Sequence, residues 1–507
     1  MVTMKAPRTA GVILHPTSLP SRFGIGDLGP TAAAYVEWLA GAGASWWQVL
    51  PLHPPGPGDS PYSAISTFAG NELLISPDLL VEDGVLSDGE VAEAPDLPSE
   101  WVEYEEVKPF KIGLLRRAYL RFRDTQPSKL IRQLAAFRDA HRHWLSDYAL
   151  FRAIRDEFDG APWDEWPRPL AMRVPQALIE WMQDHRQEID FVEFCQFFFF
   201  RQWTALHDWA REIDVGIFGD MPIFVAGDSA DVWANPELFL LDAERRPTVV
   251  AGVPPDYFSE TGQLWGNPLY DWPQMASDGY SWWIARLRHT LELVDLVRLD
   301  HFRGFVSYWE VPADAETAVH GRWQPGPGRS LFDAMHSALG ALPLVAEDLG
   351  EITPDVVTLR EELGIPGMAI LHFAFSPQPR STFIPYALDR NMVIYTGTHD
   401  NNTSVGWYLE DATDEEKDLV RRYVGTGGGE IHWDLIRLAL GSVARTAVIP
   451  HQDLAGLGAD CRMNTPAVGE GNWRFRITPA MLGEDIQVRL WDLVETYGRE
   501  PAEPPSF

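Results

Sequence analysis

The sequence is short of the residues that staple small secreted folds. Of its 507 residues two are cysteine, Cys195 and Cys461, and two separated cysteines make neither a disulfide framework nor a zinc site. Cys195 falls in an apolar helical run and reads as a buried small hydrophobe. No apolar run reaches the 18 residues of a membrane span; the phenylalanines at 197–200 are flanked by Gln196 and Arg201. Residues 1–14 lack the apolar core of a signal peptide, so a cytoplasmic location is expected. Basic residues are outnumbered, 41 Lys and Arg against 73 Asp and Glu, for a formal net charge of −32. That charge repels phosphate backbones and anionic lipid, which argues against nucleic acid and membrane partners and suits a neutral ligand. Neither an HExxH nor a Walker A pattern occurs, and Gly24-Ile25-Gly26 lacks the rest of a dinucleotide fingerprint, so it reads as a turn. The His-x-His pair, His141 and His143, lies in a helical stretch where side chains two apart diverge. Both are expected at the surface, and no metal ligand set is expected.

What is present is ample core material: 45% of residues are hydrophobic and 21 are tryptophan, large aromatics that serve both as core and as platforms for apolar ligand faces. Short apolar runs recur at 11–15, 46–50, 215–220, 293–300, 344–347, 368–375, 392–396 and 447–451. Runs of this length suit strands buried on both faces of a parallel sheet. Helical patterns at 31–42, 282–291, 330–339, 354–363 and 433–444 lie between them. Strand and helix in alternation toward eight predict an α/β fold, a (β/α)8 TIM barrel spanning 1–507 as a single domain. Two insertions interrupt it. One, about 75–212, carries helical patterns at 111–124, 129–157 and 191–213 and an acidic, proline-bearing stretch at 81–106 that reads as loop. The other, about 225–280, is rich in Gly, Pro and aromatics and is expected to be mostly loop; long loops in a compact domain usually carry function.

Active sites of such barrels lie at the carboxyl ends of the strands. Three of those ends read Arg298-Leu299-Asp300-His301, Ala346-Glu347-Asp348-Leu349 and Thr398-His399-Asp400-Asn401. Any one of these acids alone would also serve as a helix cap. Together they point three carboxylates at one pocket, flanked by His301 and His399. Two carboxylates across a glycosidic bond are the minimal apparatus for retaining glycosyl transfer. Arg298 is two residues before Asp300, so in a strand both side chains face the same way, and a cation there favours the ionised form a nucleophile needs. Asp300 is therefore the better nucleophile and Glu347 the acid/base, whose surroundings should raise its proton affinity. Asp400 is left to hold sugar hydroxyls and stabilise the transition state. A retaining hydrolase and a non-catalytic glucan-binding protein share parts of this pattern.

The segment VRLDHFRGF at 297–305 resembles the nucleophile motif of the 4-alpha-glucanotransferases, or amylomaltases, of the α-amylase clan. AEDLG at 346–350 resembles their acid/base motif and TGTHDNNT at 396–403 their third-carboxylate motif. SPYSAISTFAGN at 60–71, GDMPIFVA at 219–226 and GVPPDYFSETGQLWGNP at 252–268 agree as well. The resemblance runs from about 11 to 476. It implies retaining double displacement on α-1,4-glucans, passing a segment of a maltooligosaccharide or amylose to the 4-hydroxyl of glucose or another glucan, with no metal or organic cofactor. It also implies Asp300 as nucleophile, Glu347 as acid/base and Asp400 as transition-state stabiliser. By the same resemblance Arg298, His301 and His399 contact sugar hydroxyls or set charge, and Tyr62 and Asp220 line the pocket. Tyr257 and Phe258 belong to a loop that lids the site, with Asp256, Gln263 and Trp265 as further substrate contacts. An aromatic lid gives acceptor sugar a way to outcompete water. Leu299, where the family more often has Ile, and His53-Pro54-Pro55 depart from the pattern without touching a carboxylate.

Overall fold

A computed structural model of the chain describes residues 7–255, 259–376 and 381–501. Eight short strands form its centre: β1 (Thr9–Ile13), β2 (Trp46–Gln48), β3 (Gly216–Pro222), β4 (Leu296–Asp300), β5 (Leu344–Ala346), β6 (Gly367–Ile370), β7 (Met392–Tyr395) and β8 (Thr446–Pro450). In space they run β6-β7-β8-β1-β2-β3-β4-β5, each pair parallel. The ends of this order meet without a regular ladder. There the Ala346 N–H donates to the Pro366 carbonyl at 2.8 Å, and the Met368 N–H donates to the Asp348 carboxylate at 2.7 Å. A side chain thus completes the ring where backbone pairing thins out, and the (β/α)8 barrel closes. Every strand falls on one of the eight predicted apolar runs, because residues such as Val12, Trp47, Ile217 and Val297 are covered on both faces.

Helices Pro30–Gly41, Ser281–Leu293, Arg329–Leu339, Pro354–Glu362 and Ile431–Gly441 pack outside the ring. Two of them open on proline at the first position, where its missing N–H costs nothing. The ring also ties the two ends of the described chain. β1 pairs with β8 from Thr9 opposite Thr446 onward, and the buried Arg499 guanidinium donates to the carbonyls of Thr9 at 2.8 Å and Leu440 at 2.7 Å.

Between β2 and β3 lie helices Tyr104–Thr125, Ser128–Ala140, Arg142–Glu157, Pro175–Asp184 and Arg186–Glu212. The stretch read as loop at 81–106 also contains the helix Asp88–Val91; at its start the Ser87 N–H donates to the Glu90 carboxylate at 2.9 Å, a local cap that composition hides. The residues between 225 and 280 are rich in loop, but they also carry short helices and two strands. Strands Val249–Val253 and Gln263–Pro268 pair antiparallel with each other, and Val249–Val253 pairs with Ser307–Pro312, which in turn pairs with Arg322–Pro325. Half of this four-stranded sheet comes from beyond the insertion, so its pairing has no local signature. No helix among the described residues is long and apolar enough to cross a membrane.

Helix Arg186–Glu212 is fastened to the loop after β2 by two buried glutamines. The Gln196 amide donates to the Gly70 carbonyl and accepts from the Gly70 N–H, both at 2.8 Å. One and two-thirds turns on, Gln202 accepts from the Ser76 N–H at 2.7 Å and donates to its carbonyl at 3.2 Å. The helix lies so close that a Cβ on Gly70 would fall 1.9 Å from the Phe199 ring. Replacing Gln196 by Ala strands a buried N–H and a buried carbonyl. Unfolding in guanidinium should show a loss of about 3 kcal/mol; a loss below about 1 kcal/mol would mean that water replaces the clamp.

Candidate active site

Register brings the polar residues together. Asp220 of β3 lies opposite Arg298 of β4, and Pro222 opposite Asp300. On the other side Leu299 pairs with Ala346, one residue short of Glu347. Arg298 and Asp220 are both buried. The guanidinium donates to Asp220 Oδ2 and to Asp300 Oδ1, each at 2.7 Å. Burial works against the Arg298 charge, but Asp220 and Asp300 outweigh it and hold the group protonated. Asp220 Oδ2 also accepts from the Tyr62 hydroxyl at 2.8 Å.

Glu347 stands just past β5. Its Oε2 accepts from the His301 N–H at 2.8 Å and its Oε1 from the Leu349 N–H at 2.9 Å. Burial pushes its pKa from 4.5 up to about 7; Arg298 pulls against this and the Asp300 charge adds to it. His301 presents that N–H because its backbone turns left-handed, with φ of 54°, a conformation that non-glycine residues adopt mainly where surrounding structure enforces it. Burial also keeps the His301 imidazole neutral, with its pKa lowered to about 4.

Asp400 lies in the loop after β7. Burial alone would raise its pKa, yet His399 and an Asn464 hydrogen bond outweigh that and hold the carboxyl well below the usual range. Asn464 Nδ2 donates to Oδ1 at 2.6 Å, and His399 Nε2 is 3.3 Å from Oδ2. The His399 ring stacks on Tyr62 with centroids 5.0 Å apart, and Trp473 packs against both. A continuous chain of contacts therefore runs from Asp400 through His399 and Tyr62 to Asp220, Arg298 and Asp300. A cleft lined by His15, Leu50, His399, Arg462 and Met463 opens beside this loop.

Gln263 and Trp265 lie on the small antiparallel sheet. Trp265 Nε1 donates to Gln263 Oε1 at 3.1 Å, and the indole stands edge-on to His301 at 4.8 Å, with 38% of its surface exposed. The structure thus gathers Tyr62, Asp220, Gln263, Trp265, Arg298, Asp300, His301, Glu347, His399 and Asp400 around one end of the barrel. Asp256, Tyr257 and Phe258 lie outside the described residues. Sequence reading missed Asn464, Trp473 and Arg462, which donates to the Asp400 carbonyl; they sit in a late loop with no motif. Among the described residues, no cluster with metal-ligand spacing includes Asp300, Glu347 or Asp400.

Comparison with known proteins gives one answer. A family model described as 4-alpha-glucanotransferase matches residues 14–481. The 4-alpha-glucanotransferase of Synechocystis sp. is 48% identical over 496 residues, covering 97% of this chain and 98% of that one. That of Thermus thermophilus is 47% identical over 504 residues, covering 98% and 100%. The solved amylomaltase from Streptococcus agalactiae in complex with acarbose superposes with a TM-score of 0.94 at 37% identity, over 97% of this chain and 100% of that one.

The Arg298 bridge can be weighed directly. Arg298→Met leaves Asp220 buried with no cation, and equilibrium unfolding should show a destabilisation of about 3–5 kcal/mol, most of it recovered when Asp220→Asn is added. Equal stability of Arg298→Met and the parent would refute the bridge as a structural tie.

Proposed function

The chain belongs to the 4-alpha-glucanotransferase family, and on that premise we propose how its residues carry out the transfer of α-glucan segments between sugars. The geometry around Arg298 is the observation that carries the assignment. Asp300 Oδ1 is engaged by the guanidinium, which leaves Oδ2 to attack the anomeric carbon. As the C1–Oδ2 bond forms, the C1–O4 bond breaks and Glu347 delivers its proton to the departing O4. The donor's reducing-end piece leaves, and the rest stays as an ester on Asp300. The acceptor's 4-hydroxyl then gives its proton to Glu347 and attacks C1, and the Asp300 carboxylate is released. Two inversions at C1 retain the α configuration.

Each acid's surroundings support its role. An acid/base must hold a proton near neutral pH, and burial gives Glu347 a pKa of about 7. A stabiliser of the oxocarbenium-like state must stay charged, and His399 with Asn464 keeps Asp400 ionised. Tyr62, Asp220, Arg298, His301 and His399 would hold sugar hydroxyls and set charge around them. Gln263 and the exposed face of Trp265, together with Asp256, Tyr257 and Phe258, would receive acceptor sugar in preference to water. The charge of −32 fits neutral maltooligosaccharides, amylose and glucose as partners better than nucleic acid or membrane lipid. A cytoplasmic setting belongs to the same reading, supported by Cys195 and Cys461 both remaining free.

Incubation with maltotriose should yield glucose and a ladder of longer oligosaccharides; reducing ends rising without longer products would instead mean hydrolysis. Asp300→Asn should lower turnover by more than about 1000-fold while sugar binding persists. Glu347 acts as acid in the first step, and its folded pKa is raised, so the competent protonated form exists below about pH 7 and is lost above it. The kcat/KM profile should therefore fall about tenfold per pH unit on its alkaline side, and a profile flat from pH 6 to 9 (roughly the range over which such a group changes charge) would remove Glu347 from that role.

A further inference from the structure

Away from the carboxylates, His141, His289 and Glu292 bring ligand atoms within 4.8 Å of one another. They come from two parts of the fold. His141 sits at the break between the insertion helices Ser128–Ala140 and Arg142–Glu157. His289 and Glu292 lie three apart on the barrel helix Ser281–Leu293, so they share a face. The surface position expected for the His141 and His143 pair holds for His143, which is exposed. The helix break turns His141 inward, where its ring meets Phe137 at 4.4 Å and His289 at 6.2 Å.

His289 is 2% exposed. Its Nε2 lies 2.7 Å from the Phe68 carbonyl. A carbonyl only accepts, so Nε2 carries the proton and Nδ1 is left with a bare lone pair. That Nδ1 is buried without a hydrogen-bond partner, a costly state for a polar atom, and it points toward Glu292, 3.8 Å from Oε2. An imidazole whose far nitrogen donates to a backbone carbonyl is the arrangement that orients metal-ligating histidines. Glu292 opens the group to solvent, its side chain 55% exposed, which supplies an entry path.

We propose that His141, His289 and Glu292 bind a divalent transition-metal ion of the zinc class, with water as fourth ligand, and that the ion ties the helical insertion to the barrel. Two imidazoles and one carboxylate select zinc-like ions over magnesium or calcium, which take mainly oxygen ligands. Tetrahedral ligands at about 2.1 Å from zinc stand about 3.4 Å apart. Binding would draw His141 and Glu292 to that spacing; Glu292 is exposed and free to rotate, while His141 would turn within its packed rings and give up a long 3.4 Å hydrogen bond from the Trp144 indole N–H to its Nδ1. The ion is remote in role from the glucan chemistry; it is a rivet between two layers.

The test is zinc titration of chelator-stripped protein against a chromophoric competitor, with cobalt as a spectroscopic stand-in. The parent should bind one equivalent, and its cobalt form should show the strong visible bands of four-coordination without thiolate charge transfer. His141→Ala and Glu292→Gln should each weaken binding by at least about tenfold, whereas His336→Ala, an exposed histidine on another helix, should not. Zinc should raise the melting temperature of the parent and leave the first two variants unmoved. Circular dichroism of the metal-free variants checks that both fold as the parent does. No zinc binding by the parent, or equal binding by His141→Ala and Glu292→Gln, overturns the proposal.

Discussion

A single buried guanidinium organises this end of the barrel. Arg298 is the only cation bonded to both Asp220 and Asp300 among the described residues, and all three side chains rise from neighbouring strands whose register fixes their heights. Taking two carboxylates and an arginine out of water is costly unless each finds partners. Here the cost is offset because the cation is shared, and because Tyr62 adds a hydroxyl to the more buried acid. The bridge also bears on the acids around it. Among the described residues, only one oxygen of Asp300 takes part in a hydrogen bond. Glu347 feels both the cation and the anion it balances, so its proton affinity is set by burial more than by either charge.

The three acids of the trio are chemically alike, and the fold makes them different. Glu347 is held in a buried position that raises its proton affinity, although the two backbone N–H groups it accepts from favour the charged form. Asp400 receives a histidine, an asparagine amide and a more open position, and it gives its proton up. The Tyr62–His399–Trp473 stack lies between Asp400 and Asp220. The two carboxylates are thus separated by packed rings rather than by open space.

Much of this was legible in the chain. All eight barrel strands sit on apolar runs, since burial on both faces leaves no polar alternation to confuse the pattern. Arg298 and Asp300 could be paired from spacing alone, because side chains two apart on a strand share a face. What escaped was long-range. Asn464 reaches Asp400 across 64 residues, and nothing in its own neighbourhood marks it. The antiparallel sheet escaped because Val249–Val253 finds its second partner at Ser307–Pro312, past β4. His141 escaped because a periodic reading assumes an unbroken helix, and the helix breaks at that residue.

The pairing of β1 with β8 carries a consequence for how the molecule is made. Thr9 is among the first described residues, and its strand partner begins at Thr446; the Arg499 guanidinium that seals the seam comes later still. On a ribosome β1 emerges well before β8 and waits, with one edge unpaired, until Thr446 and its strand have been synthesised. At about 5–20 residues per second that interval is roughly 20–90 seconds. An unpaired apolar edge invites association with other chains. The long insertion between β2 and β3 is made within that delay, and its helix Arg186–Glu212, which packs against helix Pro30–Gly41 and β3, can dock on part of the barrel before the ring closes.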